Sequence, residues 1–170
     1  MENMKTIDLF AGAGGITEGF RQAGATCVFA NDFNQHACET FRHNHPGLKT
    51  VAGPIQELDT TRIRKQAQLQ KGELDVLVGG PPCQGFSINA PERFLEDPRN
   101  SLFKHYLRFV DEFAPKLFMF ENVPGMLSLG GGKLFDTIIS QMQDRGYRTN
   151  AKILLSAHYG VPQVRWRRNF

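Results

Sequence analysis

Short apolar runs alternate along the chain with longer segments in which apolar residues recur every three or four positions. The short runs predict strands at 4–10, 26–30, 50–52, 74–78, 117–120 and 147–156. The longer segments predict helices at about 16–24, 34–44, 59–70, 101–113 and 133–145. Strands that alternate with helices, without a repeat or a second domain, predict an α/β fold with a doubly wound, mostly parallel sheet over residues 1–170.

The composition is that of an ordinary globular protein, with 41% apolar and 22% charged residues. No apolar run approaches the ~20 residues of a membrane span, and the amino terminus lacks the shape of a signal peptide. Three cysteines without framework spacing favour a reducing, cytoplasmic setting, and we expect Cys27 and Cys38 to be packing residues. The net charge of +3 does not by itself imply a polyanion partner, although three arginines crowd the last six residues.

The segment after the fourth predicted strand combines backbone breakers with a cysteine. It reads Gly79-Gly80-Pro81-Pro82-Cys83-Gln84-Gly85-Phe86-Ser87. The glycines let a ligand approach the backbone, and the prolines end the strand. Because open α/β sheets place their chemistry at the carboxyl ends of strands, we interpret Cys83 as a functional residue rather than a buried structural cysteine.

Glycines at positions 12, 14 and 15 open the turn after the first strand, where a nucleotide-type cofactor normally docks. Thr17 replaces the last glycine of the dinucleotide fingerprint, and Asp8 near the end of the first strand would repel a pyrophosphate. A cofactor with an adenosine and an ammonium but no phosphates suits this turn better. S-adenosylmethionine is such a cofactor.

Two residues at the end of the second strand extend this hypothesis. Asp32, twenty residues after Gly12, is placed to accept hydrogen bonds from both ribose hydroxyls, and Phe33 to lie against adenine. The alternatives are a helix cap for Asp32, a core position for Phe33 and a simple tight turn for the glycines.

Four segments are more specific together than any of them alone. They are, in order, Asp8-Leu9-Phe10-Ala11-Gly12-Ala13-Gly14-Gly15, Gly80-Pro81-Pro82-Cys83-Gln84-Gly85-Phe86-Ser87, Phe120-Glu121-Asn122-Val123-Pro124-Gly125 and Tyr159-Gly160-Val161-Pro162-Gln163-Val164-Arg165-Trp166-Arg167. This series resembles the successive motifs of the C5-cytosine DNA methyltransferases, from about residue 4 to the last residue. Residues 97–102 also resemble the end of that family's catalytic loop.

The resemblance implies a Rossmann-like methyltransferase fold and a role for each matching residue. Cys83 would add to carbon 6 of cytosine, and Glu121 would hold and protonate the ring nitrogen. Asn122 would organise the loop around Glu121, while Arg167 would lie near the carbonyl oxygen of the base and Arg165 would support the cysteine loop or a phosphate. The implied cofactor-lining residues are Phe10, Gly12, Ala13, Gly14, Gly15, Asp32, Phe33, Ile55, Gly80 and Pro82. No metal is implied.

The implied chemistry is physically reasonable. Carbon 5 of cytosine is a weak nucleophile, and thiolate addition at carbon 6 converts it into an enamine-like carbon that can accept a methyl group. Protonation of the ring requires a raised pKa of Glu121, and its apolar neighbours at 118–120 predict the necessary burial. Because carbon 5 is hidden inside a duplex, the cytosine must be flipped out of double-stranded DNA. The loop at 87–100, with Arg93 and Arg99, is a candidate to close over it.

Two departures from the family pattern change the expectations. Pro54 stands where the family has an acidic residue that contacts the adenine amino group, so we expect this contact to be missing, while Ile55 packs on the adenine. The chain ends at Phe170, where another core strand should begin, and the target-recognition region and last cofactor motif do not follow. We therefore expect a fold that is incomplete at its carboxyl end, and a complementary carboxyl-terminal chain as a partner.

Three alternatives remain at this stage. An RNA cytosine methyltransferase shares this catalytic core. A non-catalytic remnant would bind only the cofactor or a partner chain. A dinucleotide oxidoreductase is disfavoured by Thr17 and by the cysteine turn. His36, His43 and His45 could suggest a metal, but no cysteine or carboxylate completes a tetrahedral set.

Overall fold

A computed structural model describes the chain at residues 4–82, 101–122 and 133–170. Within these ranges the strands are β1 (Lys5–Leu9), β2 (Thr26–Asp32), β3 (Thr50–Ala52), β4 (Val76–Gly79), β5 (Leu117–Asn122), β6 (Lys152–Leu155) and β7 (Trp166–Asn169). They form a seven-stranded sheet in the order β3-β2-β1-β4-β5-β7-β6. β1 is parallel to β2 and β4, β2 is parallel to β3, and β7 is antiparallel to β5 and β6. The predicted doubly wound, mostly parallel sheet is thereby confirmed.

The helices are α1 (Gly15–Gln22), α2 (Gln35–Asn44), α3 (Thr60–Gln66), α4 (Ser101–Phe113) and α5 (Lys133–Gln143), with 3-10 turns at Ile55–Glu57 and Ser156–Tyr159. Two of them begin at side-chain caps. Asn34 accepts a hydrogen bond from the Ala37 amide at 3.1 Å, and Asp59 accepts one from the Arg62 amide at 2.9 Å. These caps explain why α2 and α3 begin within a residue of their predicted starts.

The carboxyl-terminal strands differ from the prediction. The expected strand at 147–156 is only four residues long, because its partner β7 supplies backbone from Trp166 to Asn169 alone. The sequence predicted that the last core strand is missing from the sheet. That strand is present as β7 and lies between β5 and β6. The expectation that the sheet lacks it was wrong.

The chain divides into two compact units. The first comprises Met1–Pro81 and His105–Met119, and its fully buried side chains include Phe29, Leu77 and Tyr106. The second comprises Pro82–Lys104 and Phe120–Phe170. In the second unit the Phe170 ring packs edge-on against Phe120 at 5.6 Å between centroids.

The cysteines of the first unit lie in its interior. Cys27 and Cys38 are buried free thiols, as predicted for packing residues, and burial raises the pKa of each. Among the helices that the structure describes, none is long and apolar enough to cross a membrane.

Candidate active site

The turn after β1, residues 10–15, has an unusual backbone and is called the first turn below. Phe10 has a φ of 58°, although it is not a glycine, and Gly12 and Gly14 have φ values of 55° and 94°. Backbone hydrogen bonds hold the turn closed, from Gly14 to the Ala11 carbonyl and from Ala11 to the Asn31 carbonyl, both at 3.0 Å. Left-handed non-glycine residues cost free energy and concentrate at functional sites. The first turn therefore has a defined and strained backbone conformation, which favours a functional role over that of a simple tight turn.

Asp32, at the end of β2, contacts the first turn directly. Its Oδ2 accepts a hydrogen bond from the Gly12 amide at 2.8 Å, and its Oδ1 accepts one from the Asn34 amide at 2.9 Å. Asn34, not Asp32, is the N-cap of α2, so the helix-cap alternative is wrong. Each carboxylate oxygen retains a lone pair for a further donor, which is the requirement for binding a ribose diol.

Two glycines of the first turn border open space. Among the described residues, a Cβ atom built on Gly12 or Gly15 would meet no atom within 4 Å. Phe33 is 76% exposed, which rules out the core alternative for this residue and leaves its ring available for stacking. The fit of an adenosine-type cofactor therefore rests on open backbone, a carboxylate and an exposed aromatic ring.

Thr17 and Asp8, which the sequence treated as two separate departures, are one interaction in the structure. The Thr17 hydroxyl donates to Asp8 Oδ2 at 2.6 Å, and the Thr17 amide donates to the same oxygen at 3.2 Å. Asp8 is fully buried. Because it accepts from the Thr17 amide at the amino end of α1, it caps this helix in place of Gly14, which has no side chain. Burial raises the pKa of Asp8 from 3.8 to about 7, against the lowering effect of the two Thr17 hydrogen bonds.

A buried side chain joins β2 to the segment that carries Ile55. The Asn31 amide group donates to the carbonyls of Val51 and Gly53, both at 3.0 Å. Ile55 itself is buried, and Arg108 on α4 donates to its carbonyl at 2.9 Å. The sequence did not identify Arg108, because it lies off the apolar stripe of α4 and nothing local marks its partner.

The last residue of β4 is Gly79, and close packing alone requires a glycine at this position. A Cβ on Gly79 would lie 2.9 Å from the Leu9 carbonyl oxygen and 3.1 Å from the Tyr106 ring. Gly79 therefore permits close packing within the first unit, and this packing accounts for a glycine at this position. Gly80 is half-buried and Pro82 is exposed. Cys83 and the loop with Arg93 and Arg99 lie outside the described residues.

In the second unit, β5 ends in Glu121 and Asn122, and β7 brings arginines beside them. Glu121 Oε1 lies 2.6 Å from Arg167 Nε, and the two side chains are 26% and 24% exposed. Glu121 is thus less buried than its apolar neighbours predicted. Asn122 is buried and pairs in register with Arg168.

The arginines near the end of the chain are distributed by strand geometry. Successive side chains of a strand point to opposite faces, so Arg167 meets Glu121 while the Arg168 guanidinium lies 5.9 Å from the centroid of the Phe135 ring. Arg165 precedes β7 and is exposed, and its carbonyl accepts hydrogen bonds from Ser156. The sequence grouped these three arginines, whereas the structure gives each different surroundings.

The histidines do not form a metal site in the part of the chain that the structure describes. His36 is exposed, whereas His45 is 95% buried, since only 5% of its surface is accessible, and it contacts the first turn through Gly14. The sequence missed this role. The signal was present, because Cys38, Phe41 and His45 follow one another at helical spacing and are all buried.

Comparison with known proteins gives this geometry a context. The family model described as C-5 cytosine-specific DNA methylase matches residues 4–170. The Type II methyltransferase M.AgeI of Thalassovita gelatinovora is 44% identical over 164 residues, which are 96% of this chain and 38% of M.AgeI. M.AquIA of a Picosynechococcus strain is 36% identical over 171 residues, covering 96% of this chain and 69% of that relative.

A solved structure from E. coli, described as a prophage-encoded DNA modification methyltransferase, superposes with a TM-score of 0.81 and 31% identity. The match covers 99% of this chain and 46% of that one. The chain thus spans less than half of M.AgeI and of this structural neighbour. Since the family model matches residues 4–170, which is nearly the whole chain, the chain belongs to the C-5 cytosine-specific DNA methylase family.

Proposed function

We propose that the protein transfers a methyl group from S-adenosylmethionine to carbon 5 of a cytosine that is flipped out of double-stranded DNA. The observation that carries this proposal is the contact of Glu121 with Arg167 at the end of β5, a carboxylate and a guanidinium 2.6 Å apart that both retain access to solvent. Family membership supplies the reaction class for which such a pair is suited.

The Glu121–Arg167 pair matches the hydrogen-bonding edge of cytosine. A carboxyl group can donate a proton to the ring nitrogen and accept from the adjacent amino group, while a guanidinium can donate to the carbonyl oxygen. In the chain without a base, Arg167 compensates the charge of Glu121. We infer that binding of cytosine replaces part of this contact, which places the proton donor where charge develops.

The covalent step is assigned to Cys83, on the basis of the family alone. Its thiolate forms a bond to carbon 6, and the π electrons between carbons 5 and 6 shift towards the ring nitrogen, which Glu121 protonates. Carbon 5 thereby becomes the nucleophilic carbon of an enamine. Carbon 5 takes the methyl group and then loses its proton to a base. The electrons of that C–H bond restore the double bond to carbon 6 and expel the thiolate, and the ring nitrogen returns its proton to Glu121. S-adenosylmethionine, when bound, supplies the methyl group from its sulfonium.

The cofactor is assigned to the first turn and the end of β2. Asp32 would bind the ribose, Phe33 would stack on adenine, and the backbone of Gly12 and Gly15 would line the remainder of the site. The open space beside these glycines and the exposed ring of Phe33 support this assignment. Phe10, Ala13, Gly14, Ile55, Gly80 and Pro82 complete the proposed lining.

Sequence recognition is assigned to polypeptide outside the matched portion. The portion of each relative that this chain covers, from 38% of M.AgeI to 69% of M.AquIA, would be the catalytic part. A carboxyl-terminal region, continuous or supplied by a complementary chain, would select the DNA site. The relatives are Type II methyltransferases by name, which favours a role in restriction-modification.

Labelled methyl transfer tests the proposal. The chain, with and without a carboxyl-terminal fragment of M.AgeI, is incubated with tritiated S-adenosylmethionine and either duplex DNA or transfer RNA. We expect label in DNA, its complete loss in Cys83→Ser, and its retention in the matched control Cys27→Ser. Label in transfer RNA alone would support the RNA alternative, and cofactor binding without transfer to either polymer would support the non-catalytic one.

A further inference from the structure

We propose that His45, assisted by Asn44, is a positioning residue for the cofactor: it holds the first turn through carbonyl groups, whereas Asp32 holds it through an amide. This inference rests on the proposed function, because it assigns the cofactor to that turn. Neither residue belongs to the motifs that carried the family resemblance. Both stand at the carboxyl end of α2, far from the first turn in sequence.

The two side chains contact consecutive carbonyl groups of the turn. His45 Nε2 lies 3.2 Å from the Gly14 oxygen, and Asn44 Nδ2 donates to the Ala13 oxygen at 3.4 Å. In the same turn, the Gly12 amide donates to Asp32. The first turn is thus held between a carboxylate that accepts from its amide and side chains that donate to its carbonyls. Ala13, Gly14, Asn44 and His45 also contribute to the lining of a cleft of about 560 Å³.

The chemistry of the contact fixes the orientation of the imidazole ring. A carbonyl oxygen can only accept, so His45 must donate through Nε2. Nδ1 has no hydrogen-bond partner among the described residues and lies 4.0 Å from Glu18 Oε2. Glu18 is already bound by Arg21 through two contacts of 2.8 Å. The Gly14 carbonyl therefore supplies the hydrogen bond that orients this buried ring.

Packing restricts the ring and the turn together. The His45 ring lies 4.8 Å from that of Phe41, which belongs to the apolar cluster containing Ala11 of the first turn. A Cβ on Gly14 would lie only 2.5 Å from His45 Nε2. The ring therefore occupies the space that a side chain at position 14 would need. Because the two are closely packed, a displacement of the ring changes the packing of the first turn.

Calorimetric titration with S-adenosylmethionine tests the inference in the unmodified chain and three variants. His45→Leu keeps much of the volume but removes the donor, His45→Gln restores a donor, and His43→Leu is a control at an exposed position of the same helix. We expect Kd to rise about tenfold in His45→Leu, as for loss of a buried hydrogen bond. Kd should stay within about threefold of the unmodified value in His45→Gln and His43→Leu.

Amide hydrogen exchange without cofactor provides a second measurement. We expect faster exchange at the Gly12 and Gly14 amides in His45→Leu, and a return towards the unmodified rate in His45→Gln. If His45→Leu fails to fold, Asn44→Ala, at an exposed position, should still speed exchange at these amides and raise Kd about threefold.

The outcomes separate the two proposals. Equal Kd values for the unmodified chain and His45→Leu, or equal weakening in His45→Leu and His45→Gln, would overturn the positioning role alone. Loss of thermal stability without a change in Kd would also overturn it, because a purely structural histidine behaves in this way. Absence of binding by the unmodified chain would overturn the proposed function, and with it this inference.

Discussion

The first turn and the Glu121–Arg167 pair differ in the groups that form them, which are backbone groups in the turn and side chains in the pair. The first turn is backbone, held by the left-handed glycines, by Asp32 and by the end of α2. The Glu121–Arg167 pair consists of two side chains from antiparallel strands, each about one quarter exposed. The conformation of the first turn depends on its glycines and on contacts with buried or partly buried side chains of the following strand and helix. The Glu121–Arg167 pair depends on pairing between strands that are more distant in sequence. We therefore expect changes in the first turn to affect folding and cofactor affinity together, and changes in the pair to affect turnover alone.

Glu121→Gln should have the largest effect and should leave the fold intact. It removes the proton donor while keeping the size of the side chain, so we expect methyl transfer to fall about a thousandfold. The free energy of unfolding should change by less than about 0.5 kcal/mol, because the side chain is partly exposed. Transfer rates and denaturant melts measure both quantities. A matched control is Asp144→Asn, which is exposed in the same unit. A large loss of stability in Glu121→Gln would end the contrast between the two sites.

Asp8→Asn tests whether the support of the first turn depends on pH. The folded-state pKa of about 7 lies above the ordinary value of 3.8, so the protonated form favours folding. This contribution is present in full below the ordinary value and is lost as the pH rises through about 7. From pH 4 to pH 8 we expect a loss on the order of 4 kcal/mol in the unmodified chain that Asp8→Asn does not show.

The control for this pH dependence is Asp75→Asn in the same unit. A hydrogen bond from Lys116 holds the pKa of Asp75 below its ordinary value, so its contribution is present above that value and is lost only in more acidic solution. Between pH 4 and pH 8, the free energy of unfolding of Asp75→Asn, measured by urea melts, should therefore change with pH as it does in the unmodified chain. If the free energy of unfolding of Asp8→Asn showed the same pH dependence as the unmodified chain, the assignment of this dependence to Asp8 would be contradicted.

Gly14→Ala separates backbone conformation from close packing in the first turn. The substitution forces a side chain into a φ of 94° and places its Cβ 2.5 Å from His45 Nε2. We expect the free energy of unfolding to fall by about 3 kcal/mol, with weaker cofactor binding. Gly24→Ala is the control, because its φ is 86° but its Cβ would meet nothing within 4 Å in the described part of the chain. It should cost about 1–2 kcal/mol. If guanidinium melts gave the same loss in the free energy of unfolding for both variants, the contact between the new Cβ and the His45 ring would not be destabilising.

Phe33→Ala should have the smallest effect, confined to affinity. Its ring is 76% exposed, so the free energy of unfolding should stay within about 0.5 kcal/mol. Loss of stacking on adenine should weaken S-adenosylmethionine binding about tenfold, measured by calorimetry. Leu117→Ala, 53% exposed at the start of β5, should change neither quantity. An unchanged Kd in Phe33→Ala would contradict the assignment of adenine to this ring.

The sequence predicted the parts of the fold and site that are local. Apolar periodicity placed α4 at its observed bounds, and a cap residue placed the start of α2. The glycines of the first turn predicted a ligand-binding backbone, and the spacing to Asp32 brought that carboxylate to the same turn, where it binds the Gly12 amide. These features depend on φ preferences and on strand length, which neighbouring residues encode.

Features that join distant segments were not accessible in this way. Thr17 was interpreted as a missing glycine, although it is the donor that satisfies buried Asp8. Gly79 was assigned to a ligand, although Leu9 and Tyr106 occupy the space beside it. The strand β7 was expected to be missing, although it pairs with both β5 and β6.

The sequence alone thus determined the family, the order of strands and helices, and the residue types of both candidate sites. Only the tertiary structure decided which side chains meet, such as Glu121 with Arg167, His45 with Gly14, and Asp8 with Thr17. The physical reason is that backbone preferences act between near neighbours, whereas these contacts are fixed by strand register and by close packing of elements that fold together.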